Sequence, residues 1–208
     1  MCVITIKKVK NMKSFTDSCG LYSALCDASP AERLNIVKNA NLDIQDKYGW
    51  TALIWAAKYD HQTAIVDLLI KAGANKDIKD NNGYTALMHA ACEGREAIVD
   101  SLIEASANKD IKDNYGRTAL MHAAMSGYKN IVDSLIEAGA DLNIKDNDDH
   151  TALMWAAHYG YKDIVNLLSI KDVKQKLSEA EQKNAKLEAQ AKKIAKQRIR
   201  ALRLGRYR

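Results

Sequence analysis

Residues 83–103 read Gly83-Tyr84-Thr85-Ala86-Leu87-Met88-His89-Ala90-Ala91-Cys92-Glu93-Gly94-Arg95-Glu96-Ala97-Ile98-Val99-Asp100-Ser101-Leu102-Ile103. Thr85 stands where an N-cap hydroxyl takes an orphan N–H of a first helical turn. Leu87, Ala90 and Ala91 follow at i, i+3 and i+4, so they share one helix face. Gly94 closes that helix at a position suited to positive φ. Ile98, Val99, Leu102 and Ile103 form the apolar stripe of a second helix. The linker from Asn108 to Gly116 is then dominated by Asp, Asn and Gly, the residues of tight turns.

The same block recurs along the chain. Thr-Ala-Leu stands at 51–53, 85–87, 118–120 and 151–153, with spacings of 34, 33 and 33 residues. A fixed period of that length marks a stacked-repeat architecture. Two short helices bury too little apolar area alone, but stacked on similar neighbours they share one core. The small pairs Ala56-Ala57, Ala90-Ala91, Ala123-Ala124 and Ala156-Ala157 let adjacent helices approach closely.

Over about residues 40–168 these blocks resemble ankyrin repeats. The resemblance rests on the Asp-x-x-Gly-x-Thr turn, the Leu after it, the Ala-Ala pair, the inter-helix Gly and the Val-x-x-Leu second helix. It implies an all-α solenoid of helix-turn-helix pairs joined by hairpin loops, followed by a long basic C-terminal helix. The expected organisation is a basic segment over 1–13, an N-terminal capping or half repeat over 14–46, four repeats over 47–170 and a basic helical tail over 171–208.

The chain departs from the family pattern at several points. Ala52, Ala86, Ala119 and Ala152 replace the family's proline. Ile54, Met88, Met121 and Met154 replace its histidine, and the loss of that side-chain hydrogen bond predicts looser turns. Asp60-His61 replaces the inter-helix glycine of the first repeat. Ser106 stands where Gly73 and Gly139 end a second helix, and Asp149 stands where Gly49, Gly83 and Gly116 stand. A Cβ at Ser106 is unfavourable if that position is left-handed.

The resemblance implies a protein-protein interaction module that binds through a concave groove and the hairpin tips. Two residues after the core Leu, a side chain is rotated by about 200° and points away from the core. Those residues are Trp55, His89, His122 and Trp155. The tips add Tyr48, Trp50, Tyr84, Tyr115, Arg117 and His150, and the helix ends add Tyr59 and Tyr159. Trp, Tyr and Arg dominate interface hot spots, and all three tryptophans of an aromatic-poor chain fall in this set. The competing reading is that tip aromatics staple one hairpin to the next.

No phosphate-binding loop, nucleophile elbow or dinucleotide motif occurs. His89 and His122 occupy equivalent places in neighbouring repeats, roughly 8–10 Å apart, whereas zinc needs its nitrogens about 2 Å from one centre. They are expected as polar contact residues. The recurrent Asp46, Asp80, Asp113 and Asp146 read as turn caps. The chain is therefore expected not to be an enzyme, with no catalytic residues, no metal ligands and no cofactor.

Charge is segregated along the chain. Residues 1–13 carry four lysines and no acid, residues 14–170 carry 14 basic and 22 acidic side chains, and residues 171–208 carry 13 basic and 4 acidic. The tail is rich in helix formers, and Val173, Leu177, Ala180, Asn184, Leu187, Ala191, Ile194 and Ala201 follow a 3-4 spacing that Arg198 interrupts. Val173 and Leu177 are expected to cap the last repeat. Lys192, Lys193, Lys196, Arg198, Arg200, Arg203, Arg206 and Arg208 come without an acidic neighbour from 189 onward. Three readings compete for this run: a solvated helix face, contact with an acidic protein or with the chain's own acidic body, and, as the alternative function, electrostatic binding of nucleic acid or an anionic membrane surface. The expected partner remains an unidentified protein, with the chain a monomer or weakly self-associated through a coiled-coil seam. No apolar run reaches the roughly 18 residues of a membrane span. Cysteines at 2, 19, 26 and 92 form no Cys-x-x-Cys, as expected of reduced thiols in the cytoplasm. The resemblance also permits delivery into a host cell.

Overall fold

The computed structural model describes residues 17–59 and 63–205, with the side chains of Gln175, Glu179 and residues 200–205 left aside. The basic segment 1–13, the Asp60-His61 substitution, Arg206 and Arg208 lie outside the described residues. Among the described residues there are ten helices and no strand. They are α1 Ser18–Asp27, α2 Pro30–Asn39, α3 Ala52–Tyr59, α4 Thr63–Lys71, α5 Ala86–Cys92, α6 Glu96–Glu104, α7 Ala119–Ser126, α8 Lys129–Glu137, α9 Ala152–His158 and α10 Lys162–Gly205. The chain divides into two compact units, Met1–Val165 and Asn166–Arg208.

In the first unit, α1, α3, α5, α7 and α9 pack in succession, and α2, α4, α6 and α8 form a parallel row. Each repeat begins as its threonine dictates. The hydroxyls of Thr51, Thr85, Thr118 and Thr151 accept the backbone N–H three residues on, at 3.2 to 3.4 Å. Leu53, Leu87 and Leu120 are each 1% exposed, and the alanine pairs of the first three repeats are fully buried. Each such leucine contributes roughly 1.5–3 kcal/mol. The fourth repeat ends the stack and differs. Ala157 is exposed, and Met154 is 49% exposed where Met88 and Met121 are 1%.

The hairpins are tied into a row by asparagine. The side-chain amides of Asn81, Asn114 and Asn147 donate to the carbonyls of Lys47, Asn81 and Asn114. Their backbone N–H groups donate to Tyr48, Asn82 and Tyr115. This row explains the tip glycines. A Cβ at Gly83 would stand 2.7 Å from the backbone nitrogen of Asn114. Asp149 occupies the same left-handed position, φ 64°, in the last hairpin, which no further hairpin follows.

The second unit is the distal part of α10. This helix runs 44 residues without a break, so the second helix of the fourth repeat and the tail are one element. Val173 and Leu177, expected to cap the last repeat, are 64% and 59% exposed.

Candidate protein-binding face

Each hairpin carries an aspartate whose two oxygens have separate duties. Oδ1 of Asp46, Asp80, Asp113 and Asp146 accepts the backbone N–H groups two and four residues on, at 2.8 to 3.0 Å. Oδ2 accepts a ring N–H nine residues on. Trp55 Nε1 lies 2.9 Å from Asp46, and His89 Nε2 lies 2.9 Å from Asp80. His122 Nε2 lies 2.9 Å from Asp113, and Trp155 Nε1 lies 2.8 Å from Asp146. Indole can only donate, and a carboxylate can only accept, so the histidines match the tryptophans with Nε2 as the donor. One clamp thus joins every hairpin to the first helix of its own repeat.

The clamp corrects the expectation for His89 and His122. They are 6% and 3% exposed and are not surface contact residues. Their direction away from the leucine core is as expected, but the hairpin folds over that face. The clamp also replaces the hydrogen bond that Met88 and Met121 cannot make, so the turns are held by a different bond. Burial depresses the pKa of His89, against the opposing pull of Asp80. Burial raises the carboxyl of Asp113, but hydrogen bonds from His122, Arg117 and Tyr115 more than offset it and hold the pKa below the usual value.

Rings extend the clamp into a row. Tyr22 of α1 stacks on Trp55 at 6.2 Å. Trp50 meets Trp55 at 4.7 Å and His89 of the next repeat at 5.3 Å. Tyr84 likewise lies against His89 at 5.2 Å and His122 at 4.7 Å. Arg117 sits over Trp155 at 4.7 Å and over Tyr115 at 5.3 Å, and His150 meets Trp155 at 5.2 Å. The residue before the threonine therefore bridges two repeats at Trp50, Tyr84 and Arg117. Burial pushes the Tyr84 hydroxyl up to about 12, with the charges of Asp113 and Asp80 adding to it. Tyr84 thus contacts the clamp rings of two repeats.

Four of the expected tyrosines stay at the surface. Tyr48 is 55% exposed, Tyr59 49%, Tyr115 61% and Tyr159 49%. Tyr59 stacks on Trp55 at 5.4 Å, and Tyr159 stacks on Trp155 at 6.1 Å. Lys58 lies over Trp50 and Tyr59 and pairs with Glu93 at 3.0 Å. Tyr22 and Tyr161 also join these rings, and Tyr161 stands in Gly160-Tyr161-Lys162, which repeats Gly127-Tyr128-Lys129 one period on. Tyr22 lies in α1, which lacks the Thr-Ala-Leu block, and Tyr161 stacks on Tyr159 at 6.3 Å.

Among the described residues, Asp146, Asp148 and His150 bring ligand atoms within 4.8 Å of one another. Both oxygens of Asp146 are already engaged, by Asp148 N–H, His150 N–H and the indole of Trp155. The cluster is the chemistry of a capped turn. Cys19, Cys26 and Cys92 are thiols, and burial pushes Cys92 up to about 11. Lys192, Lys193, Lys196 and Arg198 lie exposed on α10, while the side chains of Arg200 and Arg203 lie outside the described set.

A family model for ankyrin repeats (3 copies) matches residues 21–113 and 97–178. The chain belongs to the ankyrin repeat family. Ankyrin repeats are generally protein-protein interaction modules, and the family is typically non-enzymatic. No curated protein matches this ankyrin repeat chain. Among the described residues, no helix is long and apolar enough to cross a membrane.

Proposed function

We propose that this ankyrin stack binds a partner protein on the face formed by its hairpin tips and the C-terminal ends of α3 and α9. The observation that carries this reading is the exposure of Tyr59 and Tyr159 on rings that are already stacked. Their partners Trp55 and Trp155 are pinned by aspartate, so little side-chain entropy remains to be lost on binding. Tyrosines of this kind make hot spots. Tyr48, Tyr115 and Trp50 extend the same face, with Arg117 and His150 as its polar members.

The role is binding and not catalysis. Several groups able to do acid–base or nucleophilic work are committed to structure. The hairpin aspartates cap turns, His89 and His122 are bonded to them, and the Cys92 thiol is held protonated.

The test is affinity capture from a cytosolic lysate, comparing the full chain with Tyr59→Ala/Tyr159→Ala and with a chain lacking residues 189–208. Trp55 and Trp155 are poor choices for substitution, because their loss also breaks the clamp. The double variant is expected to weaken capture at least about tenfold per residue at moderate salt, with an unchanged melting temperature. The tail deletion is expected to leave capture intact. Binding that survives the double variant and disappears with the tail overturns the reading.

A further inference from the structure

The distal part of α10 has two unlike sides. At about 100° per residue, Leu187, Ala191 and Ile194 fall within about 60° of one another. Lys196 lies nine residues after Leu187, which is about 900° and so directly opposite. Lys192 and Lys193 flank Lys196, within about 60° to either side. The sequence continues the pattern, with Ala201 and Leu202 in the apolar register and Arg200 and Arg203 in the basic one. Leu187 and Ile194 are 54% and 45% exposed, Ile199 falls instead about 20° from Lys192 on the basic side, and no acidic residue follows Glu188. Arg198 falls within the apolar side, where its long stem can lie along that side and carry its charge outward.

We propose that residues 186–204 of α10 lie in the plane of an anionic lipid surface, with the Leu187/Ile194 side in the acyl boundary and the Lys192/Lys193/Lys196 side toward the headgroups. The argument is charge complementarity joined to segregation. An anionic bilayer offers negative charge beside an apolar layer, and this helix offers positive charge beside an apolar stripe. Nucleic acid would be bound by the charge alone and gives no use to the stripe. A parallel self-associating seam would set like charges beside one another, since from 189 onward the basic residues have no acidic counterpart. The apolar side holds no aromatic and is rich in alanine, so lipid binding depends on charge as well as burial. The inference is independent of the tyrosine face.

Sedimentation of the full-length protein with phosphatidylcholine vesicles, with and without phosphatidylserine, tests it. Binding is expected to be at least about tenfold stronger with phosphatidylserine, and to fall steeply between about 0.1 and 1 M salt as the Debye length shrinks from about 10 to 3 Å. Leu187→Gln/Ile194→Gln keeps every charge and is expected to lose most of the binding. Lys192→Glu/Lys193→Glu/Lys196→Glu is expected to lose it as well, and Tyr59→Ala/Tyr159→Ala to keep it. All these positions are exposed, and an unchanged melting temperature confirms an intact fold in each variant. Equal binding to both vesicle types, no binding to either, or binding indifferent to the glutamines overturns the proposal. Binding of duplex nucleic acid that is likewise indifferent to the glutamines, without vesicle binding, assigns the helix to nucleic acid. Concentration-dependent dimerisation lost in the glutamine variant, again without vesicle binding, assigns it to a second copy.

Discussion

Ser106 adopts φ 62°, where Gly73 and Gly139 adopt 90° and 83°. A left-handed L-residue costs roughly 1–2 kcal/mol, and the greater chain entropy of unfolded glycine offsets part of that. Ser106→Gly is therefore expected to stabilise the protein by about 0.5–1 kcal/mol, read as a higher urea midpoint at unchanged slope. A second residue-level consequence concerns pH. His89 is buried, and its pKa is depressed below 6.5. The unfolded chain then binds a proton more readily than the folded one, so stability is full above about pH 6.5 and declines as pH falls through the folded value. Asp113 and Asp146 are depressed below 3.8, so their contribution holds above that value and is lost only at lower pH. For Asp146, burial acts upward, and hydrogen bonds from His150, Trp155 and Asp148 outweigh it. Thermal melts between pH 8 and 5 are expected to show the first decline. In His89→Gln, which keeps a donor without titrating, the decline should shrink.

Two glycines on the inter-helix corner show how neighbouring elements set the cost of a single atom. A Cβ at Gly94 would stand 2.6 Å from the Tyr128 ring, and one at Gly127 equally close to Tyr161. At Gly139 a Cβ would meet nothing within 4 Å. All three have positive φ, so the left-handed penalty is shared and the contact differs. Gly94→Ala is expected to cost about 2–4 kcal/mol, combining strain with overpacking, and Gly139→Ala only about 1–2 kcal/mol. Equal losses in denaturant titrations would count against this packing. The clamp is the other element-level device. It couples hairpin and helix within each repeat, while Trp50, Tyr84 and Arg117 couple each repeat to the next.

Position in the stack sets the value of the small pair. Ala123 is fully buried between repeats, whereas Ala157 is exposed at the end. Ala123→Leu is expected to cost about 1–3 kcal/mol and Ala157→Leu less than about 0.5 kcal/mol, compared by thermal melting. The period, the threonine caps, the leucine core and the capping role of the aspartates were all legible in the sequence, because each depends on spacing within one block. The burial of His89 and His122 was not inferred, because it depends on a hairpin closing over a helix face. The clue was present, since a Trp or His stands nine residues after the aspartate in all four blocks. Asp149 reads as a defect in sequence, but its turn has no following hairpin to meet. The single helix from 162 to 205 was divided at 171, because the repeat ends there while the helix does not. The tyrosine face is tested most directly by photo-crosslinking. Benzoylphenylalanine would replace Tyr59 or Tyr159 in turn, with Asp100, exposed on α6, as the comparison position. The account predicts the same protein adduct from 59 and 159 and none from 100. An adduct from 100 with none from the two tyrosine positions would contradict it.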